Sequence, residues 1–438
     1  MNDTNAEYVA EKQPIVFYGW LVIGAGFVTL GITFGIWYSF SVFFLAIIKD
    51  FGWSIGLGST IFSVFLLCHA MTGLLTGYLQ DRFGPRVVIP IGAFILALSL
   101  IVTSQSGRLW HFYIAYGVFA GASISLLGFI SHSAFLPNWF ERKRGLAVGI
   151  AMSGIGFGML FLVPLVEKSI ATNGWRMTYF LLAGVVIFVV APLNLIFARR
   201  RPEDLNLRPD GDSIRKNDRP ARSSRVVKII NKDWVNIDWT LRRVSHTRRF
   251  WLLLAAFFCL SYAYQGTLLH AISAMVDAGL ARDRAAHYFG ILGLAGSGGK
   301  VLFGYLSDRF GRERANTLGG LTAAVGILCL IFSPLIIGPL PIFFALLFGL
   351  GYGAAAPLMP SISADIFSGR AFGLIFAVIS VGSGAGGASG SFLSGVLRDI
   401  IGTYSIPLII CIVSLMLSCS FIWIASPRKV RQIGKITN

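Results

Sequence analysis

Charge is the scarcest feature of this chain. Only 13% of its 438 residues are Asp, Glu, Lys or Arg, against roughly 25% in a soluble domain. So few charges cannot coat a water-soluble fold of this length, and most of its surface has to meet lipid. Acidic residues are rarer still, with 20 Asp+Glu against 37 Lys+Arg. The five cysteines, Cys68, Cys259, Cys329, Cys411 and Cys419, all fall within apolar runs. They lack metal-ligand spacing, and no disulfide is expected there. Soluble catalytic constellations are missing too. Gly296-Ser297-Gly298-Gly299-Lys300 superficially resembles a phosphate loop. It lacks the full Gly-x4-Gly-Lys-Ser/Thr spacing and is followed by Val301. No enzyme activity, metal or cofactor is expected.

What the chain has in abundance is apolar sequence, 55% of the total. The runs are long and continuous, as from Leu21 to Ile48, where barrel strands would alternate apolar and polar residues. A helix satisfies its own backbone in hydrocarbon, so helices are the solution. Runs long enough to span lie near 17–48, 55–79, 87–105, 110–138, 145–167 and 177–198. Six more lie near 250–276, 286–306, 316–337, 340–364, 371–396 and 404–425. The expected fold is an all-α membrane protein of twelve transmembrane helices in two six-helix bundles, 1–198 and 250–438. The basic, proline-bearing stretch 199–249 joins them as a linker, disordered at first. From Trp234 to Arg249 it is expected to lie along the membrane surface, since Trp234, Ile237, Trp239 and Leu241 alternate with charge.

The net charge of +17 raises nucleic acid as a partner, and the positions of the charges reject it. Most Lys and Arg fall between spans on one side, the bias of cytoplasmic loops. Both termini then lie in the cytoplasm. Met1 to Pro14 is polar with no basic n-region, so no cleaved signal peptide is expected and the first span acts as an anchor.

The two halves repeat. Gly77-Tyr78-Leu79-Gln80-Asp81-Arg82-Phe83-Gly84-Pro85-Arg86 recurs 227 residues later as Gly304-Tyr305-Leu306-Ser307-Asp308-Arg309-Phe310-Gly311-Arg312-Glu313, with seven of ten positions identical. Gly154, Gly156 and Gly158 match Gly382, Gly384 and Gly386 at an offset of 228. Such spacing fits parallel repeats about an axis normal to the membrane. Close helix packing at the interface of the halves is expected at Gly149, Gly154, Gly158, Gly382 and Gly386, because small residues let membrane helices touch backbone to backbone.

The doubled Gly-x-Leu-x-Asp-Arg-x-Gly loop resembles the signature of the major facilitator superfamily, and the resemblance covers the chain apart from the linker. It implies an alternating-access carrier. By that resemblance Gly77 lets the second span approach the eleventh, and Asp81 sits near a helix N-terminus. Asp81, Arg82, Gly84 and Arg86, with Gly304, Asp308, Arg309 and Gly311, then form a latch that breaks when the cytoplasmic side opens. The family's antiporter pattern has Gly-Pro in the fifth span, where this chain has Gly154-Ile155; that motif gives antiport no support.

Charged side chains within spans carry the rest. Asp50, Glu167, Asp277, Arg284, Asp365, Arg398 and Asp399 fall near span ends. Lys300 does not. It precedes Asp308 by eight residues, about 12 Å into a hydrocarbon core about 30 Å thick. A cation at that depth costs several kcal/mol and marks a functional site by default. No carboxylate is available at that depth, so an anionic substrate is the partner expected. Tyr18-Gly19-Trp20, Phe51-Gly52-Trp53-Ser54 and Asn138-Trp139-Phe140-Glu141-Arg142-Lys143-Arg144-Gly145-Leu146-Ala147 resemble the bacterial relatives of the monocarboxylate transporters and oxalate–formate exchangers. That group carries a substrate-binding cation in the eighth span, where Lys300 stands in place of the usual Arg. The oxalate exchangers add a cation in the eleventh span, and Ala371 to Leu397 has none, which suggests one carboxylate per substrate. Animal members have a first-span lysine where this chain has Tyr38.

The resemblance thus implies a monomeric carrier in a bacterial inner membrane that moves a small organic anion, foremost a monocarboxylate, by proton symport or by anion exchange. Tyr38, Tyr264, Gln265 and His270 are the expected companions of Lys300. Trp37, His69, His132 and Tyr262 are weaker candidates at mid-depth. Two other readings compete: an efflux pump for drugs or amphiphiles, which a resistance screen would reveal, and a non-transporting membrane sensor, which would bind ligand without flux.

Overall fold

In a computed structural model the described residues are 17–140, 144–205, 207–209, 227–334, 338–369 and 371–433. The expectations for Met1 to Pro14, for linker residues 210–226 and for Glu141-Arg142-Lys143 lie outside them. Among the described residues eleven helices are long and apolar enough to cross a membrane. The longest, Leu146–Phe197, has 52 residues, about 78 Å at 1.5 Å per residue and far more than one crossing needs. Gly174 breaks it at φ 79°, ψ 163°, a left-handed conformation that favours glycine. Twelve spans result.

They are α1 (Tyr18–Phe51), α2 (Ile55–Phe83), α3 (Pro85–Ser104), α4 (Leu109–Trp139), α5 (144–173) and α6 (175–197). The second six are α7 (Arg248–Asp277), α8 (Arg282–Phe310), α9 (Arg312–Phe332), α10 (Leu340–Ile366), α11 (Phe372–Ile401) and α12 (Ser405–Ala425). The repeat is visible in the backbone. Gly84 and Gly311 take φ of 76° and 92°, and each lets the chain leave one helix and enter the next without an intervening loop. The end of the molecule carrying these two turns is called here the motif end, the other the far end.

Several buried polar side chains pair across helices within each half, which lowers their cost in hydrocarbon. Asn194 on α6 donates to Thr29 Oγ1 on α1 at 2.7 Å. Ser414 and Ser418 on α12 donate to the carbonyls of Cys259 and Ala256 on α7 at 2.8 Å each.

Glycine stripes decide how the helices approach, and here the structure corrects the sequence expectation. A Cβ on Gly154 would strike the Phe27 carbonyl, and one on Gly158 the Gly31 carbonyl, both on α1. In the second half a Cβ on Gly386 would strike the Phe258 carbonyl and one on Gly382 would press on Leu254, both on α7. These glycines therefore close helix pairs within each half, not the interface between halves. Gly149 meets nothing within 4 Å. The interface instead uses Gly156, set against Gly293 and Ser297 of α8, and Gly384, set against Ala70 of α2.

The later linker residues are built onto the second half. Strand β1 (Val227–Ile229) pairs antiparallel with β2 (Arg431–Ile433) beyond α12. Trp234 donates to the Ile366 carbonyl at the end of α10, 2.9 Å away. Trp239 is 4% exposed, with its ring 5.2 Å from Phe367. Both tryptophans pack against the end of α10 and Phe367 just beyond it.

Candidate functional site

Lys300 lies on a close helix contact between α8 and α10. On α8, Gly296 and Gly299 leave no side chain between α8 and α10. A Cβ at Gly299 would strike the Leu350 carbonyl, and one at Gly353 the Gly296 carbonyl. The same Cβ at Gly353 would lie 2.8 Å from Lys300 N, so the Lys300 backbone abuts the Tyr352–Gly353 step of α10. Its side chain is half-buried. Among the described residues Lys300 makes neither an ion pair nor a hydrogen bond.

Tyr352 links Lys300 to the first half. Gly296, one turn from Lys300, approaches Tyr352 Cδ1 at 3.7 Å from its Cβ position. The Tyr352 hydroxyl shares a 2.7 Å hydrogen bond with that of Tyr38 on α1. Tyr264 on α7 stands edge-on to the Tyr352 ring at 5.1 Å and donates to the Gly351 carbonyl at 3.0 Å. Phe289 on α8 completes the group, 6.5 Å from Tyr38. The structure thus brings Tyr38 and Tyr264 together beside the α8 stripe that carries Lys300. Tyr352 was missed in the sequence reading. Its one signal there is a phenol bracketed by glycines in Gly349-Leu350-Gly351-Tyr352-Gly353.

The other candidates are placed elsewhere. Gln265 packs its Cγ 3.0 Å from the Cβ position of Gly387 on α11, and its Oε1 is buried without a partner. His270 is fully engaged at the far end. Its Nε2 donates to the Ser391 carbonyl at 2.9 Å, Ser59 and Tyr404 hydroxyls lie 3.5 Å away, and its ring is edge-on to Phe44. Phe44 is six residues beyond Tyr38, about 9 Å along α1, so His270 is not brought to Lys300. His69 stacks edge-on to Trp37 at 4.6 Å, and both His69 Nδ1 and Trp37 Nε1 are buried without partners. His132 donates from Nδ1 to the Gly128 carbonyl at 3.0 Å in the break of α4, a packing role.

The halves touch toward the far end and part toward the motif end. At the far end Asp399 of α11 accepts from Ile55 N at 3.0 Å and Gly56 N at 2.6 Å, capping α2 across the interface. Arg282 of α8 pairs with the buried Glu167 of α5 at 3.5 Å. Ser63 on α2 donates to the Ala388 carbonyl of α11 at 2.7 Å. At the motif end Gly77 and Gly373 have nothing within 4 Å. Gly77 therefore does not bring α2 against α11 in this conformation, and Asp81 does not sit at a helix N-terminus. Asp81 is 79% exposed and pairs with Arg200 at 3.7 Å. Arg82 donates to its own neighbour Tyr78, and Arg309 to Tyr305. Arg86 donates to the Leu195 carbonyl at the end of α6.

The second copy of the motif is tied down more firmly. Arg312 pairs with Asp308 at 3.0 Å and with Asp365 of α10 at 3.1 Å. A Cβ on Gly304 would meet Pro357 of α10 at 3.8 Å, an ordinary contact. Position for position, Arg86 and Glu313 do opposite chemistry on equivalent helix ends. Arg86 donates to a carbonyl ending α6, while Glu313 Oε1 accepts from Arg428 N just past α12.

The model of the Major Facilitator Superfamily matches residues 25–387. The chain is 25% identical over 398 residues to monocarboxylate transporter 13 of Rattus norvegicus, covering 90% of this chain and 86% of the relative. It is 26% identical over 430 residues to monocarboxylate transporter 11 of Homo sapiens, covering 95% and 84%. An uncharacterized MFS-type transporter, YcxA of Bacillus subtilis (strain 168), is 25% identical over 387 residues, covering 87% and 88%. Among solved structures, a bacterial homologue of the human lysosomal transporter Spinster, in an inward-facing and unoccupied conformation, superposes with a TM-score of 0.66 at 16% identity. The match covers 96% of this chain and 98% of that one.

Proposed function

We propose that this chain, which belongs to the Major Facilitator Superfamily, carries a small organic anion, a monocarboxylate, across the bacterial inner membrane. The observation that carries this is Lys300. A cation in a span needs an anion, and among the described residues none pairs with it. A substrate carboxylate supplies the missing charge, and the hydroxyls of Tyr38 and Tyr352 supply donors beside it. Lysine offers a point charge rather than a two-pronged guanidinium contact, which suits one carboxylate in a cavity of variable guest shape. The names of the curated relatives, monocarboxylate transporters among them, support the same class.

The carrier works by alternating access. The motif end is the cytoplasmic one on the charge bias of the loops, with both termini on that side. The conformation described is then the one open to the cytoplasm, closed outside by Asp399, Glu167 and Arg282. On reversal, α2 and α11 meet at Gly77 and Gly373, and Asp81, Arg82, Asp308 and Arg309 engage across the cytoplasmic side. The protein functions as a monomer. Proton symport and anion exchange both fit this cycle.

A counterflow panel of labelled monocarboxylates, dicarboxylates and organic cations, run on purified protein in proteoliposomes with and without a pH gradient, tests the reading. Accumulation of one or more monocarboxylates is expected. Uptake confined to organic cations contradicts it. Stimulation by an inward proton gradient identifies symport, and dependence on internal anion identifies exchange.

A further inference from the structure

The linker, the start of α7 and the end of α12 line a second basic site, an open groove remote from Lys300, at the motif end. A cavity of about 400 Å³ is lined by Trp234, Thr247, Arg248, Arg249, Leu252 and Ile424. A neighbouring one of about 700 Å³ shares Arg249 and adds Lys232, Asp233 and Lys429. Four cations thus face the pair of cavities against one carboxylate. None of the four makes an ion pair among the described residues. Arg249 is the centre of the arrangement. Its guanidinium lies over the Trp234 ring at 4.3 Å, and its Nη1 is buried with no hydrogen-bond partner. A buried guanidinium N–H left unpaired is unfavourable, and a bound anion would satisfy it.

The position says which anion. Arg248 and Arg249 open α7 and Ile424 belongs to the last turn of α12, so the cavity lies where two membrane spans meet the water interface. Leu252 is one turn deeper on α7, and Ile424 is 52% exposed. The site is polar at its mouth and apolar on its membrane side. The geometry points to a phosphodiester headgroup of an anionic phospholipid, with its acyl chain along Leu252 and Ile424. Guanidinium groups match phosphate oxygens in two-pronged fashion, and basic pockets between spans recognise such headgroups. Trp234 also holds the Ile366 carbonyl, so a lipid bound here clamps the linker onto the end of α10. The inference is independent of the cargo carried at Lys300.

The test uses the full-length protein, delipidated in neutral detergent. Native mass spectrometry and thermal unfolding are read with added phosphatidylglycerol, phosphatidylcholine or inorganic phosphate. Phosphatidylglycerol is expected to remain bound and to raise the unfolding midpoint, phosphatidylcholine to do neither. The R248Q/R249Q double variant should bind phosphatidylglycerol at least tenfold more weakly. Arg108→Gln, at the far end, should behave as wild type. A photoreactive phosphatidylglycerol should label wild-type residues 229–252, a readout that does not need the variant to fold. Equal binding of the two lipids, undiminished binding by the double variant, or labelling confined elsewhere overturns the proposal. A phosphate effect matching that of phosphatidylglycerol overturns the lipid assignment.

Discussion

The hydroxyls of Tyr38 and Tyr352 lie 2.7 Å apart and join α1 to α10 across the midline of the molecule. The bond is one of the contacts that hold the two halves together in the form described. A hydrogen bond of this kind contributes about 0.5–1.5 kcal/mol. Tyr352→Phe should therefore shift the conformational equilibrium toward the opposite form by roughly threefold to tenfold. Double electron–electron resonance between spin labels on α2 and α11 at the far end reads this directly, and an unchanged distance distribution contradicts it.

Asp399 holds the far end from the other half by accepting two backbone N–H groups at the start of α2. Replacing a helix cap by alanine costs about 0.5–2 kcal/mol. Asp399→Ala should raise the labelling rate of a cysteine placed at Val396, in a background lacking the native cysteines, by about threefold or more. Labelling at the wild-type rate would show that the cap does not hold this end shut.

The glycines give a graded prediction. Gly158→Leu and Gly386→Leu drive a side chain into the carbonyls of Gly31 and Phe258. Overpacking of this type costs about 1–3 kcal/mol. Both variants should unfold at lower temperature in detergent, whereas Gly149→Ala, with open space around it, should match wild type. Equal midpoints for all three would contradict the packing described.

These outcomes show what the sequence could and could not reveal. The spans were legible because apolar runs and their polar interruptions are local, and the break at Gly174 falls in the gap between the expected fifth and sixth runs. Which helix a glycine faces was not legible. Gly154 and Gly156 are two residues apart, about 200° around a helix, so neighbours in one stripe serve different interfaces. Lys300 stood out because a lone cation in hydrocarbon is costly wherever it points. Tyr352 did not, since a phenol in an apolar run carries no charge signature and its value lies in a partner 314 positions away. His270 read as a cavity residue by depth alone, and the pairing of α7 with α11 and α2 at the far end enclosed it. The contacts of Trp234 and Trp239 with Ile366 and Phe367 were not legible, because those partners are distant in sequence.

The motif residues carry a conformational prediction. Asp81 is exposed in the form described, while Asp308 pairs with Arg312, which also holds Asp365. The first copy is free to engage on reversal, and the second is anchored within its own half. Asp81→Asn should slow counterflow with little change in protein stability. Asp365→Asn removes one of the two carboxylates paired with Arg312 and should lower the unfolding midpoint. The reverse pattern would contradict the asymmetry.

Lys300 is the point on which the cargo assignment turns. The most direct measurement is counterflow of the accepted monocarboxylate by Lys300→Gln and Lys300→Arg in proteoliposomes, with each variant shown to be folded by its unfolding midpoint. Truncating one partner of a buried charge pair costs about 2–5 kcal/mol, so Lys300→Gln should weaken apparent affinity about thirtyfold or more, and Lys300→Arg should retain part of the transport. Wild-type affinity and rate in Lys300→Gln would contradict the account.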